Sequence, residues 1–479
     1  MQEQDNLKSK SIKGIWGSAI ERFSIQGITF ILNIVIARMV SPEEYGLIAM
    51  LGIFIAVSQM FIDSGFSNAL IQKKSRSQVD FSTAFYFNIV VGLVVYALLW
   101  MSAPYIADFY NQPLLKSIMR WIGINIILSS FSIVQRAKLT IKLDFTTQAK
   151  ASLIGVVISG IIGITMAYYG YGVWALVTQA VLNTLLYTIM MWVLAHWRPT
   201  LEYSWQSFRT LFAFGSRYLG TGLINVIYVN MYTLVIGKKF SAQQVGFYNR
   251  ASTIGQFPSM NISYIITRAM FPAMCNIQDD TQRLTNYFNQ TLRMACYIIF
   301  PMSIGLAVVA EPLIDVVLTE KWANAASLLQ ILCVAYMWYP IMSINHTILT
   351  VKGRTDYFLR AEIIKKSLGV IIMLVTMPMG VKALCWGLLA YSFGDMAVTI
   401  FFAKKVVLTG YIAQIKAIAP LVLLTAAMGA IAYSSMLITD NQMLKIVIGV
   451  ISGCLSYLGI SLLFRFGEMQ TALDILKKK

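Results

Sequence analysis

The sequence predicts an all-α, polytopic membrane protein of about fourteen transmembrane helices, laid out as two six-helix bundles followed by a C-terminal helix pair. Three observations predict it. Hydrophobic residues make up 57% of the chain and Asp, Glu, Lys and Arg only 12%, against about 25% charged in ordinary soluble domains. Apolar runs of roughly twenty residues, enough to cross the hydrocarbon of a bilayer as helices, recur from Trp16 almost to the C-terminus and leave no room for a separate soluble domain. The chain also echoes itself. Ser41 and Gly46 of the stretch SPEEYG return 200 positions later as Ser241 and Gly246 of SAQQVG. Leu139-Thr140-Ile141-Lys142 returns as Leu349-Thr350-Val351-Lys352, and Pro104-Tyr105-Ile106 as Pro312-Leu313-Ile314. A nearly constant offset over so long a stretch points to a duplicated block.

The elements follow in order. The first block, residues 1–200, gives spans near 15–39, 44–72, 81–104, 114–137, 149–168 and 172–196. The second block, 201–405, gives spans near 211–236, 244–273, 289–310, 325–350, 361–379 and 383–404, and an extra pair follows near 413–436 and 443–465 within the tail 406–479. Six crossings per block put the start of both blocks on one membrane side, so the axis relating them is expected along the membrane normal, with a substrate site between them. The first span is too long for a signal-peptide core and lacks a small-residue cleavage site, so it should stay attached. Pro258, Pro301 and Pro340 are expected to interrupt spans eight, nine and ten. The five cysteines stand singly, without metal-ligand or disulfide spacing, and read as packing residues.

Charge gives the orientation. Lys8, Lys10 and Lys13, Lys73 with Lys74 and Arg76, Arg136 with Lys138 and Lys142, Lys352 with Arg354 and Arg360, Lys404 with Lys405, and the terminal lysines all fall on one side. The positive-inside rule makes that side cytoplasmic and places both termini there. The net charge of +17 is thus mainly a topology signal, and no basic domain of the kind nucleic-acid binding needs is present.

Function has to reside in polar residues left inside the spans, because a charge in lipid is costly and such groups usually face a cavity. The candidates for binding are Arg22, Arg217, Arg250, Arg268, Arg293, Arg120, Asn225 and Asn230, and those for coupling or gating are Glu21, Asp63, Asp395 and His346. Arg22 and Arg217 occupy nearly the same place in the two copies, shortly after Gly17-Ser18 and directly after Gly215-Ser216. Each has a plain structural alternative. Arg120, Arg268 and Arg293 lie near span ends, where a long side chain can snorkel to the headgroups. Glu21 could neutralise Arg22, Asp63 could pair with an arginine as structural glue, and His346 could be a satisfied core histidine. No phosphate-cradling glycine loop, acidic metal-binding pair or metal-ligand cluster is seen, so neither an enzyme nor a bound cofactor or metal is expected.

The runs KGIWGSAIERFSIQGITFILNIVIARMVSPEEYGLIAM, FIDSGFSNALIQKK, IADFYNQP, SIVQRAKLTIKLDFTTQAK, GYGVWALV and VKGRTDYFLRAEIIKK resemble Wzx-type lipid-linked oligosaccharide flippases. The likeness is to the colanic-acid, WzxC-like branch of the multidrug/oligosaccharidyl-lipid/polysaccharide (MOP) exporter superfamily, and it covers residues of about 10 to 405. It implies a V-shaped pair of bundles like that of multidrug exporters of the same superfamily, with a cationic central cavity that Arg22, Arg217 and Arg250 would fit. It also implies translocation of an undecaprenyl-diphosphate-linked oligosaccharide across the bacterial inner membrane for surface polysaccharide, with the polymerase and export machinery of the same glycan pathway as partners. Two alternatives stand beside it. An ion-coupled drug or cation antiporter of the same superfamily would be expected to rely on buried carboxylates, whereas the arginines here outnumber the acids. A membrane glycan polymerase or ligase would be expected to carry a long outward loop, and the outward loops are short.

Overall fold

The computed structural model describes residues 27–63, 66–73 and 75–470, apart from the side chains of Phe214, Arg217, Tyr218 and Thr221. Every regular element among the described residues is helical. By spatial contact the chain falls into two units, 1–246 and 247–479. That division reports packing, so it need not coincide with the repeat boundary expected at 200/201.

The first unit contains α1 (Gly27–Met39), α2 (Pro42–Asp63), α3 (Phe66–Gln72), α4 (Gln78–Tyr110), α5 (Leu114–Ile122), α6 (Ile124–Ser130), α7 (Ile133–Ile141), α8 (Phe145–Tyr168), α9 (Val173–Leu194), α10 (Trp205–Lys239) and the first turn of α11 (Ala242–Asn276). The polar turn SPEE starts α2 by a reciprocal cap. Ser41 donates from its backbone N–H to Glu44 Oε2 at 2.8 Å, and Glu44 N–H donates back to Ser41 Oγ at 3.3 Å. The other oxygen of Glu44 accepts from Val173 N–H at 3.1 Å, so one carboxylate serves the N-termini of both α2 and α9. Gly172 makes this possible: its φ is +55°, and a Cβ there would lie 1.9 Å from Glu44 Oε1. At the start of α11 Gln244 N–H donates to Ser241 Oγ at 3.3 Å, one of the two bonds of the α2 cap.

Lipid is as apolar as leucine, so helices in a membrane associate through close packing more than through the hydrophobic effect. The α8–α9 hairpin shows how. Gly155, Ser159, Gly163 and Ala167 recur every fourth residue and form a buried small-residue stripe on α8. A Cβ on Gly155 would lie 2.9 Å from Asn183 Oδ1, and one on Gly163 would lie 3.0 Å from the Gln179 Cβ, so the stripe is what lets α9 approach. The same logic brings backbones together where the echo was read: a Cβ on Gly46 would be 1.7 Å from the Ala242 carbonyl oxygen, and one on Gly246 would be 1.9 Å from that of Pro42.

The second unit continues α11 and adds α12 (Thr281–Val308), α13 (Ala310–Leu318), α14 (Ala323–Tyr336), α15 (Tyr339–Val351), α16 (Thr355–Thr376), α17 (Val381–Ala403), α18 (Tyr411–Met436) and α19 (Gln442–Leu463). Its core gathers Phe288, Leu292, Phe300, Ile344, Ile400, Leu421 and Tyr457 around α12. Polar ties fix its register. Asn345 and Gln414, both fully buried, exchange two amide hydrogen bonds of 2.9 and 3.0 Å between α15 and α18. Tyr457 donates to the Tyr297 carbonyl at 2.7 Å.

The described parts of all fourteen expected spans fall on helices; residues 15–26 of the first and 64–65 of the second lie outside the described residues. Among the described residues nine are long and apolar enough to cross a membrane, and the pair Leu114–Ser130 with Ile133–Ile141 makes a tenth, bent by 43°. The other four expected spans fall on α1, α10, α11 and α16. Of these, α1 is described only from Gly27, and α16 begins with the charged Asp356, Arg360, Glu362, Lys365 and Lys366. The proline expectation needs correction. Pro258 and Pro301 lie inside continuous helices, and only Pro340, in the first turn of α15, marks a break in a span. Proline fits a first turn because the N–H it lacks would have no helical partner there.

Candidate functional site

In the first unit the bend between α6 and α7 opens a polar cavity of about 230 Å³. The bend frees backbone carbonyls, and α9 supplies their donors: Thr188 Oγ1 donates to the Leu128 carbonyl at 3.1 Å and Trp192 Nε1 to that of Phe131 at 2.9 Å. Gln59 of α2, Ser129 and Ser132 at the bend, Ser152 of α8, and Asn183 with Tyr187 of α9 line the cavity together with Arg136. Arg136 Nη2 lies 2.8 Å from Asp63 Oδ1, and both side chains keep partial contact with solvent. Such a wall offers hydroxyl and amide groups as donors and acceptors plus one guanidinium, a set suited to a sugar ring or a phosphate oxygen.

In the second unit a charged cluster sits among α15, α16 and α17. Glu362 is its hub: Lys365 Nζ approaches Glu362 Oε1 to 2.5 Å, Lys366 Nζ approaches Oε2 to 3.3 Å, and His346 Nε2 lies 3.3 Å from Oε1. Lys365 Nζ also stands 3.9 Å from Asp395 Oδ2. Asp395 is 6% exposed. Its Oδ2 accepts from the Tyr391 hydroxyl at 3.3 Å, while Oδ1 has no hydrogen-bond partner among the described residues. Phe358 covers the His346 ring at 4.1 Å.

Most residues singled out from the sequence are thereby placed. His346 and Asp395 meet through Lys365 and Glu362, and Asp63 meets Arg136. Arg293 is engaged elsewhere: its Nε pairs with Glu468, and its Nη1 donates to the Ala417 carbonyl at 3.1 Å, tying α12 to α18 and to the short helical stretch at 467–470 after α19. Arg120 lies over the Trp100 ring at 4.4 Å, Arg250 over that of Trp322 at 5.7 Å, and Arg268 is exposed on α11. Asn225 is exposed on α10, and Asn230 turns back to the Val226 carbonyl of its own helix at 2.8 Å. Glu21, Arg22 and the side chain of Arg217 lie outside the described residues. No group of three or more His, Cys, Asp or Glu side chains among the described residues could hold a metal ion.

Of the cavity wall, reading spans one at a time singles out Gln59 beside Asp63, but not the residues it meets there, nor Glu362, Lys365 and Lys366. The signal for the cluster is a glutamate followed at three and four residues by lysines, a spacing that puts all three on one helix face.

The model of a family described as polysaccharide biosynthesis protein matches residues 35–327. Lipopolysaccharide biosynthesis protein WzxC of Escherichia coli (strain K12) is 28% identical over 368 residues, 75% of this chain and 74% of its own. Teichuronic acid biosynthesis protein TuaB of Bacillus subtilis (strain 168) is 27% identical over 409 residues, 84% of each chain. Among solved structures, the lipid II flippase MurJ in an inward closed conformation superposes with a TM-score of 0.77 at 15% identity, over 94% of this chain and 98% of its own. An inward-facing multidrug resistance MATE family transporter superposes with a TM-score of 0.61 at 12% identity, over 81% and 97%. At those identities the likeness is one of fold, a polytopic all-α transporter fold.

Proposed function

We propose a function from one premise: the chain belongs to the polysaccharide biosynthesis protein family, whose model spans more than half of it. It is a multi-pass membrane flippase, not an enzyme, and it moves an undecaprenyl-diphosphate-linked oligosaccharide between leaflets of the bacterial inner membrane for surface polysaccharide synthesis. Both termini face the cytoplasm in this reading. The single observation that supports it is the α6–α7 cavity, which places one arginine and seven further polar side chains around one space inside the bundle. A glycan headgroup has no apolar path across a bilayer, since each unsatisfied polar group would cost several kcal/mol. A diphosphate has charge besides, and guanidinium meets it with paired donors.

In the same reading Arg22, Arg217 and Arg250 handle the diphosphate, Asn225 and Asn230 contact sugars, and the two repeats of residues 1–200 and 201–405 form the moving bundles. Arg268 and Arg120 are subsidiary. The experiment is deletion of the gene followed by analysis of lipid-linked glycans. A lipid-linked oligosaccharide should accumulate inside the cell, export should return with the wild-type gene, and Arg22→Ala or Arg217→Ala should restore protein but not export. Unchanged lipid-linked glycans in the deletion strain would overturn the reading.

A further inference from the structure

The cluster in the second unit is a poor structural strut and a good exchange site. Its place in the fold is inside the bundle. His346 stands five residues before the end of α15, Glu362 seven residues into α16, and Asp395 eight residues before the end of α17, so each lies roughly 8–12 Å from the helix ends at Gly353 and Lys404. All the side chains involved are more than three-quarters shielded. Yet the polar bonds are unevenly shared. Lys365 sits tight on Glu362 and only 3.9 Å from Asp395 Oδ2, and Asp395 Oδ1 is left without a partner among the described residues. A buried carboxylate held by one hydroxyl at 3.3 Å and an ammonium 3.9 Å away is poorly compensated as an anion, and taking up a proton removes that buried charge.

We propose that Glu362, Lys365 and Asp395 form a proton-exchange site built around a tethered cation, so that protons and not sodium ions couple transport by this chain. The inference rests on the transport reading for what the proton drives, and on geometry for the site itself. With a proton on Asp395 Oδ1, Lys365 belongs to Glu362, as observed. When that proton leaves to water, the Asp395 carboxylate draws Lys365 Nζ the remaining distance of about 1 Å to ion-pair contact, and Glu362 keeps Lys366 as its partner. Protonation thus moves one ammonium between a carboxylate on its own helix and one on α17, which alters the tie between α16 and α17. A sodium ion is excluded because Lys365 Nζ already stands where a cation shared by the two carboxylates would sit.

The groups facing Asp395 are Lys365 and Glu362 from α16, Tyr391 from its own helix and Tyr339 from α15. Those facing His346 are Glu362, Lys365 and Lys366. Of the other helices packed on α17, α14 carries no charged residue, and Lys416, the one charged residue of α18, is exposed.

Two measurements on the purified full-length protein test this, and neither needs a glycan. Infrared spectra of wild type should show a protonated-carboxyl band that disappears reversibly as pH is raised, shifts in D₂O and on labelling with ¹³C-aspartate, and is lost in Asp395→Asn. Thermal unfolding in sodium chloride and in choline chloride should be the same for wild type. Lys365→Met should gain sodium-dependent stabilisation, a rise in Tm of about 2 °C or more, because it leaves two carboxylates facing an empty place. Absence of the band from labelled wild type, or stabilisation of wild type by sodium over choline, overturns the proposal whether or not either variant folds. Because the flippase reading is tested by the deletion strain, failure of one leaves the other standing.

Discussion

Replacing Arg293 by Ala should destabilise the protein far more than it disturbs substrate handling, and the structure sets the size of the effect. Glu468, the partner of Arg293, is only 6% exposed, and its second oxygen has no hydrogen-bond partner among the described residues. Removing one member of a buried ion pair leaves an uncompensated charge and costs about 3–5 kcal/mol. A third of the Arg293 side chain reaches solvent, which screens part of that, so about 2–3 kcal/mol is expected. The Ala417 carbonyl also loses its donor. In thermal unfolding of the detergent-solubilised protein this corresponds to a fall in Tm of about 2–3 °C, since the unfolding entropy of so long a chain is about 1 kcal/mol/K. Glu468→Ala should fall less, because the arginine it frees can reach water, and Arg293→Met with Glu468→Leu should recover most of the loss. Glycan export per folded molecule should stay near wild type in all three. An Arg293→Ala protein with unchanged Tm and abolished export would refute this and return Arg293 to the substrate.

Gly46→Leu should abolish accumulation of folded protein, since the Ala242 backbone would have to retreat by about 1.5 Å to restore contact distance, whereas Gly52→Ala, where a Cβ meets nothing within 4 Å, should accumulate normally; monodisperse yield from membranes reads both. Arg136→Ala should cut export of the surface glycan at normal protein level while Asp63→Asn retains it, because an exposed pair of this kind contributes only about 0–1 kcal/mol to stability; equal export by both would remove the cavity from the pathway. Asn345→Leu and Gln414→Leu should each cost about 1–3 kcal/mol and the double replacement less than either, because only the singles leave a buried amide unpaired; additive losses in denaturation would show that packing, not pairing, matters there. Cysteines at Asp279 and Gly353 should be labelled only from the cytoplasm and those at Asn111 and Asp440 only from outside, and any reversal breaks the fourteen-span order.

The fold class was legible because composition and run length are properties of the chain alone, and so was the echo, since Ser41 and Ser241 start their helices by the same hydrogen bond. The candidate sites were legible only in fragments. Arg136 reads in sequence as one more basic residue near a cytoplasmic loop, and nothing local reveals that the bend at Phe131 turns it toward Asn183 and Tyr187. His346 and Asp395 stand out singly, but their meeting depends on how α15, α16 and α17 pack. Lys365 and Lys366 hide at the start of a span, where lysines ordinarily point to headgroups. Arg293 shows the opposite error: a charge at a span end invites a substrate or lipid, and its partner lay 175 residues away.

The close approach of Gly46 and Gly246 has a consequence for how this chain can change over time. Gly46 lies against Ala242 while Gly246 lies against Pro42, and each pair is the other shifted by 200 positions. That reciprocity is the mark of an isologous interface, the kind two identical subunits make across a two-fold axis. Here both sides belong to one polypeptide, so the self-complementarity a homodimer obtains from a single codon has to be maintained at two. A side chain added at either glycine alone meets a carbonyl of the facing turn, and no change at the other glycine can relieve that clash, so each of the two codons is held to glycine on its own account.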